Sequence, residues 1–591
     1  MAARLRQSKN IKGIRIHNNQ EKEFKISQLA DDTTLFLRTK ADITKALNLI
    51  EEFGTLSGLI LNRSKCQGLK LGGKEIIEDD FEEIDWESKL IKALGIYFGK
   101  DCEIAINENW ERKIVKIEKI ITAWFKRKLT MIGKIQIINS LIISQLTHLV
   151  TVMPLPSVFL KRIESLIYKF LWDNKQEKLK RKTISQKYEN GGLNLIDIST
   201  HAKTMIISWV RKLFDDTDHQ WKTIPKFILN RHFGNNLLLF KMNIDKMENF
   251  NLSLSMITSF YKTLINTWIE SGGGQSNEPQ SITEIGNEII WGNKHIKHKN
   301  KLLVNKNWIK SGINIIQDIL DEEGKISEKI ILAKLKNKTN WISEVNIIKN
   351  SIPKKWQNIL QNSDAVKYKF KEKSPKIYSK LTKAIEIEKC TNKMIYTILL
   401  RKISEQALTF SYLKRELNIN KSSISKAFEF IAKELVENKI KIFKWKLLHR
   451  IIPNQDLLHK WKISATNNCK YCGEKEDYEH YFIKCPYYSS FRDNIDSLFK
   501  YLRFGKDIWI LKNFLIGYKI EDKDYHPINI ILSHIGYAIY RAYHISDAKS
   551  KPINTLWLFK ESLGYHIIYQ NYKNVKLPAL IKQTAKFLKL S

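Results

Sequence analysis

The sequence predicts an α+β fold, strands near the N-terminus and helices through most of the remainder, on three observations. Two strand-like runs, Phe24-Lys25-Ile26-Ser27-Gln28-Leu29 and Thr33-Thr34-Leu35-Phe36-Leu37, flank Ala30-Asp31-Asp32. Apolar residues then recur at helical spacing: Ile43, Ala46, Leu47, Ile50 and Phe53, later Ile114, Ile117, Ile121 and Trp124, and later still Ile135, Ile138, Ile142, Leu146 and Leu149. Near the end, Cys469-x2-Cys472-x7-His480-x4-Cys485 gathers four metal-ligating side chains within 17 positions. With 591 residues and 43% hydrophobic content the chain can bury several cores. Roughly three or four domains is the natural expectation for that length.

The first pair of runs reads as a β-hairpin with carboxylates at its tip. Phe24, Ile26, Leu35 and Leu37 supply β-favouring apolar positions, while the Asp pair suits a turn and resists burial unless a cation sits there. Adjacent acids at a turn can hold a divalent metal, and an ordinary Asp-rich turn shows the same pattern. The helix that follows is expected to stop at Gly54, ahead of Ser57-Gly58-Leu59-Ile60-Leu61-Asn62-Arg63-Ser64-Lys65.

These segments, in this order, resemble the palm of reverse transcriptases. Phe24 to Leu37 resembles motif C, the x-Ala-Asp-Asp hairpin, and the helix, glycine turn and strand through Lys65 resemble motif D. Leu94-Gly95-Ile96-Tyr97-Phe98-Gly99 resembles the last palm strand, near the primer grip. Trp124 to Pro156, with Leu129-Thr130-Met131-Ile132-Gly133-Lys134 inside it, resembles the thumb of LINE-type (non-LTR) retrotransposon polymerases. The chain therefore resembles the C-terminal part of such an element's second open reading frame, most strongly over 11–200 and 440–500.

The resemblance implies a partial palm over 1–105, a helical thumb over 106–200, a mostly helical connecting region over 201–375, and a helical C-terminal domain over 376–591 with a zinc-binding region at 440–500. It also implies roles. Asp31 is the principal Mg²⁺ ligand, Asp32 the neighbour that shapes the site, and Lys65 a proton donor to departing pyrophosphate, though a solvated strand-end lysine reads the same. Leu29 departs from the aromatic residue usual before Ala-Asp-Asp, a position close to the primer terminus.

Two-metal phosphoryl transfer needs carboxylates from two separate strands. In the family one comes from motif A, well before the hairpin, yet residues 1–30 contain no Asp and only Glu21 and Glu23 as acids. The expectation is a chain truncated before motif C, with weak or vestigial Mg²⁺ binding and no polymerisation by the chain alone. A reading from a different class stays open: a non-catalytic, basic zinc-knuckle protein that binds nucleic acid.

Charge fits a polyanionic partner. Lys and Arg number 99 against 62 Asp and Glu, a formal net charge of +37. Lys175 to Lys187, Lys367-Tyr368-Lys369-Phe370-Lys371 and Lys441 to Lys446 mix basic and aromatic residues that could hold backbone and bases, although any one such run also suits a solvated helix face. Lys126, Arg127 and Lys128 are expected to face a duplex beside the paired thumb helices. Against this, eight acids crowd the thirteen positions of Glu75–Glu87, read as an exposed loop facing away from nucleic acid. The partners the resemblance implies are RNA and DNA, the element's own transcript and its target.

No membrane partner is expected. Ile135 to Leu160 lacks formal charge, but its polar interruptions and one-sided apolar stripe fit an amphipathic helix better than a span. No cleavable apolar leader is visible, so the expected setting is intracellular, nucleus or cytoplasm, rather than secreted. Further on, Gly191-Gly192 closes a basic loop, 271–281 reads as a flexible linker, and Lys371 to Lys376 is a second candidate boundary. Trp291, Trp308 and Trp341 read as core anchors.

The Cys/His spacing fits tetrahedral Zn²⁺, with Gly473 permitting the tight knuckle turn and Pro486 starting the next helix. Three buried cysteines beside a surface histidine is the competing reading. Only six cysteines exist, and Cys66, Cys102 and Cys390 are scattered, which argues against a disulfide framework. His449 and His459 are nearby substitutes without the spacing. The window also resembles the zinc-binding region that follows LINE-type polymerases. On that reading zinc rigidly displays Lys470, Tyr471, Lys475 and Tyr481 as phosphate and base contacts.

Overall fold

The computed structural model describes residues 1–15, 23–71, 84–86, 89–215, 217, 219–227, 258–271, 278–293, 295–335, 341–361, 376–377, 385–549 and 553–590. The acidic loop at 75–87 apart from 84–86, the Lys367–Lys371 run, linker residues 272–277 and the boundary at 371–375 lie outside them.

The chain is mostly helical, and the strands among the described residues pair only in twos, each pair antiparallel. Strands of two to four residues with a single neighbour bury little, so most packing falls to the helices, although Ile26 of one hairpin joins a small core with Leu5, Ile11 and Ala46. In particular, the hairpins Ile26–Leu29/Asp32–Leu35 and Leu90–Ala93/Ile96–Gly99 do not join into one sheet among the described residues.

The described chain forms two compact units: Met1–Ile117 with Gln145–Lys161 and Ile198–Lys402, and Glu118–Ser144 with Arg162–Asp197 and Ile403–Ser591. The stretch 106–200 thus contributes to both.

In the first unit, the helix Lys40–Ser57 starts at a reciprocal Thr39/Asp42 capping box. It runs through Gly54 and ends instead at Gly58, which takes φ 74° and donates its N–H to the Gly54 carbonyl at 2.8 Å. A glycine ends a helix only where it turns left-handed. Gly54 stays helical and serves a close approach: a Cβ there would sit 2.8 Å from the Leu59 carbonyl oxygen. The strand expected through Lys65 is a single 3₁₀ turn, Arg63–Lys65. The main core of this unit is built around Trp268, Trp291, Trp308 and Trp356, with Trp341 partly buried against it.

The helix Cys102–Phe125 buries Ile114 and Ile117. Met131–Val152 is helical throughout, with one π turn at Ile138–Ile142, and is long and apolar enough to cross a membrane by length and composition. Its stripe of Ile135, Ile138, Ile142, Leu146 and Leu149 is nevertheless buried inside the protein.

The second unit centres on the helix Asn438–Leu448, which packs on Met131–Ile137, Lys421–Lys433, Leu511–Ile516 and His526–Lys549. Ile440, Ile442, Phe443, Trp445, Leu447 and Leu448 are buried, so little of this helix faces water. The Lys441–Lys446 run is therefore no exposed basic array. Lys444 is buried and donates to the Phe514 carbonyl at 2.5 Å, while Lys441 donates to the Ala432 carbonyl at 3.1 Å.

Candidate metal centre

Local backbone chemistry brings the four zinc-type ligands together. Asn454 caps the helix Gln455–Lys460, and the chain then returns through an antiparallel bridge between Asn468 and Lys475. Between those two residues the knuckle closes on itself. The Cys469 N–H donates to the Glu474 carbonyl at 2.6 Å and the Gly473 N–H to the Cys469 carbonyl at 2.9 Å. Gly473 takes φ 79°, a conformation in which a Cβ is costly. His480 opens a π turn, its N–H held by Asp477 Oδ1 at 2.8 Å, and the Cys485 N–H returns to the His480 carbonyl at 2.9 Å. Pro486 then begins the next helical turn, Pro486–Tyr488.

Cys469, Cys472, His480 and Cys485 consequently place one ligand atom each within 4.8 Å of all the others. Cys469 and Cys485 sulfurs lie 3.8 Å apart, and Cys472 Sγ lies 3.2 Å from His480 Nε2. Tetrahedral zinc with sulfur at about 2.3 Å separates two thiolates by about 3.8 Å, so the donor set fits. His480 Nδ1 lies 3.4 Å from Glu474 Oε2, which orients the ring and leaves Nε2 towards the thiols. Burial pushes the Cys485 thiol up to about 12, the neighbouring cysteines adding to it, and burial raises Cys469 likewise. A bound dication reverses that preference, because thiolate is the ligand form. Four protein ligands leave no open position, the arrangement of structural rather than catalytic zinc sites.

The two substitute histidines are committed elsewhere. His449 is buried with Nε2 2.8 Å from the Gly191 carbonyl, and His459 Nδ1 lies 3.1 Å from the Ser464 carbonyl.

Around the knuckle, the expected display of side chains is only partly realised. Lys475 is exposed. The Lys470 ammonium donates to the Tyr543 carbonyl at 3.1 Å and lies 4.0 Å from that ring's centre. Tyr471 stacks on Tyr487 at 3.9 Å, so one of its faces is covered. Tyr481 is buried and can contact no base. Buried Glu476, which accepts from the Gln455 N–H at 2.8 Å and the Tyr543 hydroxyl at 3.2 Å, was invisible to sequence reasoning. Its partner Tyr543 lies far along the chain and leaves no local signal.

At the hairpin, Leu29 pairs with Asp32, so the turn is Ala30-Asp31, with Ala30 at φ 52°. Asp31 and Asp32 are both exposed. Among the described residues, the Cys469/Cys472/His480/Cys485 group is the one gathering of three or more metal-ligating side chains, so no third ligand joins the Asp pair there. Lys65 is exposed on its 3₁₀ turn. Lys126, Arg127 and Lys128 are exposed after the helix Cys102–Phe125, with the Arg127 guanidinium 4.4 Å over the Trp124 ring.

With the geometry in place, known proteins supply a context. Residues 411–491 match the family described as zinc-binding in reverse transcriptase, and that segment contains all four ligands. The chain is also similar to the transposon TX1 uncharacterized 149 kDa protein of Xenopus laevis, 23% identical over 509 residues. That match covers 78% of this chain and 37% of the relative, so the chain spans little more than a third of that protein's length. A reverse-transcriptase-associated zinc-binding segment thus sits in a chain distantly similar to a transposon protein.

Proposed function

We propose that the chain is part of a retrotransposon RNA-directed DNA polymerase that binds RNA and DNA, its element's transcript and target, through the zinc-held segment and a helical thumb over 106–200. The observation that carries this reading is the convergence of Cys469, Cys472, His480 and Cys485 inside a segment matching the zinc-binding region of reverse transcriptases. The net charge of +37 supports a polyanionic ligand, and exposed Lys475 and Lys126-Arg127-Lys128 are available to phosphates. Zinc contributes folding energy rather than chemistry, about 10–16 kcal/mol of apparent binding in knuckle-sized segments.

Asp31 and Asp32 alone bind Mg²⁺ weakly, and a second ion lacks its bridging carboxylate, so on this reading the described residues do not make a polymerase. A purely non-catalytic binding module differs only at this hairpin and draws on the same observation. The proposed setting is intracellular, supported by six cysteines that are all unpaired.

The test uses the purified full chain. Elemental analysis should find one zinc, lost in the Cys472→Ser/Cys485→Ser variant together with salt-sensitive RNA binding. Mg²⁺-dependent primer extension should be absent from both the chain and its Asp31→Ala/Asp32→Ala variant. A zinc-free chain whose RNA affinity ignores the cysteine substitutions would sink the reading. Extension abolished by the aspartate substitutions would show a complete catalytic site.

A further inference from the structure

We propose that the exposed aromatic face of the helix Thr555–Tyr572 is a separate nucleic-acid contact, a stacking platform for single-stranded RNA or DNA. The inference rests on the reading above that the ligand is nucleic acid, and adds a site remote in sequence from the zinc ligands.

This helix has two unlike faces. Leu558, Phe559, Leu563 and His566 are buried, and the helix packs on His526–Lys549. The other face carries Trp557, Tyr565, Ile568, Tyr569 and Tyr572 at 56%, 58%, 61%, 45% and 79% exposure. Trp557, Tyr565 and Tyr569 fall on one line at multiples of four residues, with Glu561 between them. Exposed large apolar groups scattered singly need no explanation, whereas an aligned row marks an interaction surface.

Charge selects the occupant. From 553 to 590 the chain carries Lys560, Lys573, Lys576, Lys582, Lys586 and Lys589 against Glu561 as its one acid, and Glu561 is paired with Arg541. The Lys573 ammonium lies 5.8 Å from the ring centres of both Tyr569 and Tyr572. Rings for bases beside ammonium groups for phosphates is the arrangement single-strand binding requires. A duplex offers no free base faces, because its bases already stack on one another at a roughly 3.4 Å rise, whereas rings four residues apart on a helix stand about 6 Å apart. Successive rings therefore take the unstacked bases of an extended strand.

The full chain would be titrated into labelled oligouridine and oligothymidine of roughly 20 nucleotides, longer than one site, and into a duplex of equal length. Two variants accompany it, Tyr565→Leu/Tyr569→Leu/Tyr572→Leu and the corresponding triple substitution by phenylalanine. The leucine variant, still apolar but unable to stack, should bind single strands about tenfold more weakly or worse, with duplex affinity and the slope against salt unchanged. The phenylalanine variant should match the parent. Unchanged single-strand affinity in the leucine variant overturns the proposal and leaves the zinc-segment reading intact. So does an affinity that is unchanged while self-association or binding to anionic vesicles is lost, which would assign the face to a second copy or a bilayer. A parent chain that binds no nucleic acid overturns both.

Discussion

Replacing Lys444 by methionine should stabilise the second unit at neutral pH. The side chain is 2% exposed, the Phe514 carbonyl is its hydrogen-bond partner at 2.5 Å, and burial pushes its pKa down to about 7 from an ordinary 10.5. Between those values the unfolded chain holds a proton that the folded chain has released, so stability rises with pH across that window and falls as pH drops towards 7. A gap of about 3.5 pH units at 1.36 kcal/mol each puts about 5 kcal/mol as the ceiling on what the amine costs at pH 7 relative to pH 10.5. Methionine fills similar space without charge but leaves the Phe514 carbonyl without its donor, a loss of about 1–3 kcal/mol. The net gain at pH 7 is then about 2–4 kcal/mol, shrinking to nothing or reversing above pH 10. Because the chain has two units, a single melting temperature is ambiguous. Hydrogen exchange of the peptides covering Asn438–Leu448, followed by mass spectrometry between pH 7 and 9.5, reads the local opening free energy directly. Faster exchange in the variant at pH 7, or a parent whose opening free energy is flat across that range, would refute the reasoning. RNA affinity should not change, since Lys444 has no exposed ammonium to offer.

Two further outcomes follow from the same unit. His534 Nδ1 lies 2.7 Å from Ser562 Oγ with the His566 ring 5.3 Å away, and burial holds His534 well below 6.5 and His566 at about 4. The unfolded chain takes up these protons first, so stability should fall as pH drops from about 6.5 to 4, by about 3 kcal/mol for His566 alone. An acid titration followed by circular dichroism should show it, and a His566→Phe variant with the same acid sensitivity would count against it. Gly192→Ala should be severe, because its Cβ would lie 1.9 Å from the Gln186 carbonyl oxygen. A loss of about 2 kcal/mol or more is expected from forced backbone movement; denaturant unfolding indistinguishable from the parent would contradict it.

What the sequence made legible was what is encoded locally. The hairpin follows from flanking β-favouring runs, although its turn is Ala30-Asp31 and Asp32 already pairs in the strand, and the metal centre follows from ligand spacing within one knuckle, where neighbouring backbone bonds do the positioning. The failures share a cause in tertiary packing. Lys444 and Tyr481 look like surface contacts by composition, but the helices packed around them bury both. Gly54 looked like a helix stop, and only the fold-back of Leu59 shows why a glycine stands inside the helix. The packing of Tyr471 on Tyr487 and Tyr543, the last more than fifty positions beyond the knuckle, leaves no trace in spacing.

One buried contact joins the glycine loop to the helix that precedes the metal-binding knuckle within the second unit. The Gly191 carbonyl accepts from Trp445 Nε1 at 2.9 Å and lies 2.8 Å from His449 Nε2. A carbonyl can only accept, so Nε2 carries the proton and Nδ1 faces the interior as a bare lone pair, without a hydrogen-bond partner. Protonating Nδ1 would bury an unpaired N–H and a charge, which is why burial holds this histidine at about 4 despite the carbonyl beside it. Both donors sit at the end of the helix Asn438–Leu448 and its cap, ahead of the helix Gln455–Lys460 that leads to the knuckle. The loop at 187–194 is therefore tied to the end of the helix Asn438–Leu448 by one buried hydrogen-bond acceptor. Loosening either end leaves the same two donors without their acceptor, so the loop and this helix resist opening together.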